Sequence, residues 1–407
     1  AKLLNEIEMP LAFVLADMEL TGIRVDKEYL LNLKEELETK MKLMQNEIYK
    51  LADGEFNILS PKQLGEVLFE KLKIEYPKKR KKDDISYSTS KDILDKIKAD
   101  NEIVEKVLEY RNLSKIYANY CVGLLDEIRE DGKIHTIFNS CLTRTGRLSS
   151  SKPNLQNIPI RSDYSKLVRK AFIPEDDSIL MSSDYSQIEL RVFAHMANAK
   201  NLQEAFIEDK DIHAKTASDI FKVPIEDVDK KMRRIAKTVN FGILYGISSF
   251  GLSEDLKIDV ASAKEFLNNY LNTYQGIKEY MEEEKEEAYQ NGYVTTIMNR
   301  RRKIDELKSS NYMVRSSGER MALNTPIQGS AADILKKAMV ELYQAMKEKN
   351  LKSKMLIQVH DELVFNVYND EIEIMRELVK EKMEQVVKLS VPLKVDIETG
   401  KDWYEAK

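Results

Sequence analysis

Residues 178–191 read SILMSSDYSQIELR. Ile179, Leu180 and Met181 form a short apolar, strand-like run, and Asp184 stands at its end, where a side chain can leave a sheet and face a cleft. The period then changes. Ile188, Leu190, Val192 and Phe193 sit among Gln187, Glu189 and Arg191, so the spacing predicts a turn into a helix or an irregular segment just after Asp184. Taken alone, an Asp at such a strand exit is an ordinary turn former or helix N-cap.

A second acid changes the reading. In MLIQVHDELVFNV, residues 355–367, two β-prone runs, Met355–Val359 and Leu363–Val367, are separated by His360, Asp361 and Glu362. That is hairpin spacing, with the acids expected at the tip. Two strand-borne acids converging from distant parts of the chain would make a magnesium site, because Mg²⁺ takes hard oxygen ligands and is held by one or two carboxylates plus substrate phosphates. The chemistry suggested is phosphoryl transfer.

At 407 residues and 43% hydrophobic, the chain can bury a sizeable core and is expected to divide into two or three substructures. No run approaches the ~18 apolar residues of a membrane span, and AKLLNEIEMP lacks the charged-then-apolar pattern of a signal peptide. A soluble chain with no membrane partner is expected. It opens on Ala1 rather than Met, which points to a fragment of a longer chain. Cys121 and Cys141 are too few for a disulfide framework or a zinc site, which favours a reducing, cytoplasmic setting.

The net charge is −5, from 64 basic and 69 acidic residues, but it is unevenly spread. Lys78, Lys79, Arg80, Lys81 and Lys82 are consecutive; Arg233, Arg234 and Lys237 crowd one segment, and Arg300, Arg301, Arg302 and Lys303 another. Basic patches on an acidic whole fit an enzyme that holds a polyanion in one groove.

Along the chain, Asp26 to about Tyr49 reads as a long amphipathic helix, Ser60-Pro61 as a capped helix start, and 101–128 as helical. The acid pair Asp17 and Glu19 lacks further acids at nuclease spacing. From Gly132 the segment IHTIFNSCLTRTGRLSSSKPNLQNIPI is polar and non-helical, with Arg, Asn and Gln suited to minor-groove and backbone contacts. Lys231 to Tyr245 reads as a helix on which Arg233, Lys237, Phe241 and Tyr245 recur every four residues, forming one slowly drifting stripe. Two cations then two rings fit a nucleoside triphosphate along the helix; an amphipathic helix with both rings in core is the other reading. Arg320, Asn324 and Gln328 repeat the spacing, although Pro326 argues against a regular helix there. Trp403 is expected to anchor the tail in core.

DYSQIELR (184–191), RRIAKTVNFGILYG (233–246) and VHDE (359–362), in this order and with these separations, resemble motifs A, B and C of the family A DNA polymerases. TRTGRLSSSKPNLQNIP (143–159) and ERMALNTPIQGSAAD (319–333) resemble two further segments of that family. The likeness covers essentially the whole chain and is closest to the polymerase portion of bacterial members.

The resemblance implies an α+β fold shaped as a right hand: antiparallel palm sheet, helical fingers and helical thumb. It places the start of the palm at 1–25, the thumb at 26–132, palm with motif A at 133–206, fingers at 207–319 and palm with motif C at 320–407. Asp184 and Asp361 match the metal-binding carboxylates, with the backbone carbonyl of Tyr185 completing a site for two Mg²⁺ ions, for which Mn²⁺ can substitute. Glu362 matches a further, less essential acid. Arg233 and Lys237 match the grip on the triphosphate, Lys237 also serving the chemistry, and His213 a further phosphate contact. Phe241, Tyr245, Gln187 and Tyr185 match positions around the nucleotide, and Glu189 the residue that blocks a ribose 2'-hydroxyl. Arg147, Asn154, Gln156, Arg320, Asn324, Gln328 and His360 match positions near primer-template DNA, and Lys78, Lys79 and Arg80 are further expected DNA contacts. The implied activity is template-directed DNA synthesis from deoxynucleoside triphosphates by a monomer without proofreading. A single-subunit RNA polymerase shares the hand but must admit a 2'-hydroxyl, against which Glu189 argues. A non-catalytic relative would be expected to lose a metal carboxylate or Lys237, and this chain keeps all three.

Overall fold

The structure, a computed structural model, describes residues 2–77, 87–158 and 163–407; the expected contacts Lys78, Lys79 and Arg80 lie outside the described residues. Asp26 caps helix α1, Lys27–Ala52, by accepting from the Tyr29 amide at 2.9 Å. Its buried Leu30, Leu33, Leu37, Met44 and Ile48 recur at helical spacing and pack on α2, Glu102–Ile116, which buries Val104, Val107 and Leu113 in return. Ser60 caps the short helix Pro61–Gly65, accepting from the Gln63 amide at 3.4 Å. These helices form an N-terminal lobe.

Strand β1, Ser178–Tyr185, then enters the centre of the fold. After it Gln187 takes a left-handed conformation, φ 52° and ψ 42°, which turns the chain out of the strand into α3, Ile188–Met196. A second helical lobe follows: α4, Ile212–Phe221, lies against α5, Lys230–Leu244, with α6, Val260–Thr273, and α7, Gln275–Asn291, beyond them. Gly292, at φ 71°, ends α7 in the left-handed region that glycine adopts without steric cost. Helix α8, Tyr312–Glu348, returns the chain to the centre, where β2, Lys354–Val359, β3, Glu362–Tyr368, α9, Ile372–Glu384, and β4, Val395–Gly400, complete the core.

The four strands form one antiparallel sheet in the order β4-β1-β3-β2. Burial in β1 to β3 is nearly continuous rather than alternating, so both faces of the sheet are covered. The register aligns three acids across it: Asp184 on β1 lies opposite Glu362 on β3 and Asp396 on β4.

Four expectations need correction. Helix α8 runs without a break through Pro326, because Leu323, Thr325, Pro326 and Ile327 are all buried and packing outweighs the lost backbone donor. The boundary expected between residues 319 and 320 therefore falls inside one helix. The hairpin turn is the pair His360 and Asp361, while Glu362 is the first residue of β3 and 1% exposed, not a solvated tip acid. Arg300 is no open basic patch either: its guanidinium pairs with Asp333 at 2.7 Å and with Glu8, which also accepts from Lys336 at 2.9 Å.

Candidate active site

Sheet register brings the two key acids together. The Tyr185 amide donates to the Asp361 carbonyl at 3.2 Å, fastening the exit of β1 to the turn between β2 and β3. Asp184 and Asp361 consequently line one cavity of about 400 Å³, with Arg147, Gln187, Glu189, Phe241, Tyr245, His360 and Lys407 around them. His360, at φ 53°, holds the tight turn that presents Asp361.

The electrostatics are those of negative charge confined with little compensation. Burial pushes the Asp361 carboxyl up to about 7, and repulsion from Glu189 and Asp184 adds to it. Asp184 is also raised, first by burial, then by Glu362 and Asp396, with Lys407 opposing. Among the described residues neither carboxylate accepts a hydrogen bond. Likewise among them, no group of three or more His, Cys, Asp or Glu side chains is arranged to hold a metal; the site offers two carboxylates and the backbone beside them.

Glu189 is 7% exposed and spans the cavity wall. Its Oε1 pairs with Arg147 and its Oε2 accepts from the Tyr245 hydroxyl at 3.0 Å. Burial and this acid together lift the Tyr245 hydroxyl to about 12. The stripe on α5 lies mostly outside the core: the buried side of the helix is Ile235, Ala236, Val239, Asn240 and Ile243, whereas Tyr245 is 41% exposed and Phe241, partly buried against the core, borders the cavities with it. Lys237 is exposed and lines a neighbouring cavity of about 540 Å³ with Arg234, Phe241, Tyr245 and Arg320. Arg233 is held at the start of α4 by Asp211, Nε to Oδ2 at 2.7 Å.

His213 is 3% exposed, and burial, reinforced by Arg233, lowers it to about 4. The Asn240 amide donates to its Nδ1 at 3.1 Å, which leaves a neutral ring with Nε2 as the donor. Its ring centre is 5.8 Å from that of Phe241.

A third cavity, about 380 Å³, adjoins the acids and is lined by Arg147, Asn154, Gln156, Gln328, Lys336, His360 and Asp361. Gln156 donates to the Gln358 carbonyl at 3.1 Å, which ties the polar loop to β2. Asn324 is half-buried on α8 and lines none of the three cavities.

Two expected residues are placed differently from their sequence reading. The Tyr185 side chain is buried, its hydroxyl donating to the Met383 carbonyl at 2.6 Å in the core, although the residue still borders the cavity. Glu362 is saturated by protein donors: Ser182 at 2.8 Å, Trp403 at 2.9 Å and Lys407 at 2.6 Å. Although burial opposes it, Lys407 keeps this carboxyl below the usual range. Lys336 and Lys407 escaped the sequence reading. Lys336 stands eight residues after Gln328 and so extends the four-residue spacing of Arg320, Asn324 and Gln328; Lys407 carries no local signal, since only the closure of β4 on β1 brings it to the site.

Residues 27–405 match DNA polymerase family A. The chain is 52% identical over its full length to DNA polymerase I of Bacillus subtilis (strain 168), covering 46% of that protein, and 52% identical to DNA polymerase I of Geobacillus stearothermophilus, again 46% covered. It thus spans about half the length of the curated relatives it matches. A solved structure, the POL domain of Pol1 from M. smegmatis in complex with DNA primer-template and dNTP, superposes with a TM-score of 0.94 at 40% identity, over 100% of this chain and 71% of that one. The sheet, the two helical lobes and the collinear motifs agree with these matches, and the chain belongs to DNA polymerase family A.

Proposed function

We propose that this chain extends a DNA primer by template-directed addition of deoxynucleoside triphosphates, releasing pyrophosphate, and that the helical lobes before and after β1 act as thumb and fingers around a palm formed by the sheet. The observation that carries the reading is the convergence of Asp184 and Asp361 on a cavity that Phe241 and Tyr245 of the α5 stripe also line, with polar residues of a second cavity beside it.

Divalent Mg²⁺, or Mn²⁺ in its place, fits the donors. Two partly buried carboxylates without hydrogen-bond donors among the described residues, both raised by desolvation and Asp361 to about 7, are groups whose charge a hard cation would relieve. Asp184, Asp361 and the Tyr185 carbonyl would hold it. When bound, two such ions supply activation of the primer 3'-hydroxyl and neutralisation of the phosphates in an in-line displacement.

The chain's own residues do the rest. Lys237 and Arg233 add positive charge for the triphosphate, and neutral His213 offers a hydrogen bond without drawing a proton from it. Phe241 and Tyr245 present ring faces to sugar and base. Glu189 stands beside the sugar and excludes a 2'-hydroxyl. Gln156, Gln328 and Arg147 position the duplex, and most of the grip is electrostatic and falls with salt. The chain acts as a monomer in a cytoplasmic setting, which two unpaired thiols, Cys121 and Cys141, fit; no described helix is long and apolar enough to cross a membrane.

Incubation of the purified chain with a labelled primer-template, Mg²⁺ and the four deoxynucleotides tests the reading. Extension to the template end, with the order of addition set by the template, is expected; retention of DNA without any extension would favour the non-catalytic alternative.

A further inference from the structure

The tail after β4 builds a fixed platform beneath the acids. The Trp403 amide donates to the Phe172 carbonyl at 3.0 Å, the Ala406 amide to the Asp402 carbonyl at 3.1 Å, and both Trp403 and Ala406 are fully buried. Lys407 leaves this platform in a set direction. Its Nζ donates to Glu362 Oε2 at 2.6 Å and lies 3.9 Å from Asp184 Oδ2, on the wall of the acid cavity. That is the one ion pair Asp184 makes among the described residues.

Glu362 has no freedom to do anything but receive this ammonium. Ser182 and Trp403 occupy Oε1, Lys407 occupies Oε2, and Arg169, stacked 4.2 Å over the Trp403 ring, stands 3.9 Å from Oε2. Turning the carboxylate toward a cation at Asp184 would break three hydrogen bonds in a buried setting, a cost on the order of 1–3 kcal/mol for each donor left unpaired.

We propose that Lys407 is a positioning residue and the resident counter-charge of the site: it fixes Glu362 as a non-ligand and places an ammonium where it balances Asp184 until a divalent cation takes over that charge. The inference rests on the proposed cation site at Asp184 and Asp361. Its physical content is a sign. An ammonium this close to Asp184 repels an arriving dication, so the site is tuned to bind it weakly by itself.

Mn²⁺ binding to the chain without DNA or nucleotide, followed by calorimetry or by the Mn²⁺ electron paramagnetic resonance signal, reads this directly. Lys407→Met is expected to bind Mn²⁺ roughly tenfold more tightly, as removal of one nearby positive charge predicts, and Lys407→Arg to stay within about twofold of wild type. Glu362→Gln, which leaves the ammonium to Asp184 alone, is expected to bind more weakly. A purely structural Lys407 predicts the opposite sign for Lys407→Met, a loosened site and weaker binding, and that result overturns the proposal, as does an unchanged affinity. Thermal melts establish that each variant is folded, and Lys407→Gln repeats the neutral substitution should Met impair folding. Asp184→Asn separates the two levels: if it loses Mn²⁺ binding while Lys407→Met matches wild type, the role of Lys407 alone is wrong, and if it binds as wild type does, the cation site and this inference are both wrong.

Discussion

The Tyr245 hydroxyl donates to Glu189 Oε2 at 3.0 Å, joining the end of α5 to the first turn of α3 across the cavity that holds the acids. Held from one side by Tyr245 and from the other by Arg147, the Glu189 carboxylate has a defined position and can reject a substituent by clash rather than by weaker attraction. Glu189→Ala is expected to admit ribonucleotides while keeping much of the deoxynucleotide activity, lowering the ratio of kcat/KM for deoxynucleotide over ribonucleotide by on the order of a hundredfold, or about 2.7 kcal/mol. An unchanged ratio removes Glu189 from the sugar pocket and favours the RNA polymerase alternative.

Asp361→Asn removes one of the two acids and leaves the polar wall of Arg147, Gln156 and Gln328 in place. Primer-template affinity, measured by fluorescence anisotropy, is expected to stay within about threefold. Single-turnover extension is expected to slow by on the order of a thousandfold or more, about 4 kcal/mol of transition-state stabilisation. Near-normal extension by this variant would sink the assignment of Asp361.

His213 gives the fold an acid-sensitive element. Its pKa falls from 6.5 to about 4 on folding, because the ring is buried and faces Arg233. Between these values the unfolded chain binds a proton that the folded chain does not, so stability falls as pH drops from about 6.5 to 4 and is flat above. His213→Gln should lose less stability across that window than wild type, with the two curves parallel above pH 7. Thermal melts from pH 4 to 8 check this, and identical slopes for both proteins would show that His213 titrates normally.

The chain is also expected to leave a mismatched primer intact. Of the two acids considered for a nuclease, Asp17 pairs with Lys354 at 3.5 Å and Glu19 accepts from the Phe138 amide at 2.7 Å, so both are engaged in the fold. Incubation of a mismatched 3' end with the chain and Mg²⁺, without nucleotides, should leave the primer at full length. Progressive shortening from the 3' end would reveal a hydrolytic site elsewhere.

What the sequence made legible followed local periodicity. The apolar run before Asp184 and the two runs flanking His360 gave three of the four central strands, and the four-residue stripe gave α5 with its exposed face. Position along the chain could not show which acid faces the cavity. Asp361 and Glu362 are neighbours, yet one sits in the turn and the other begins a strand, where it is fully satisfied by Ser182, Trp403 and Lys407. That difference depends on partners 41 to 180 residues away. Pro326 misled for the same reason: burial around it is a tertiary fact, invisible to local propensity. The cluster beginning at Arg300 read as an open basic patch because Glu8 and Asp333, which neutralise its first member, lie far off in sequence.

Helix α8 is 37 residues long, and it contributes Arg320 to one cavity and Gln328 and Lys336 to another. A rod of this kind tolerates exchange of residues far better than a change in their number. Inserting a single residue between Arg320 and Gln328 would rotate everything beyond it by about 100° and advance it by about 1.5 Å, turning Gln328 and Lys336 away from their cavity while Arg320 stayed in place. The spacing within this helix is therefore a fixed ruler for the site, and chains built on the same plan should differ here in letters but not in length.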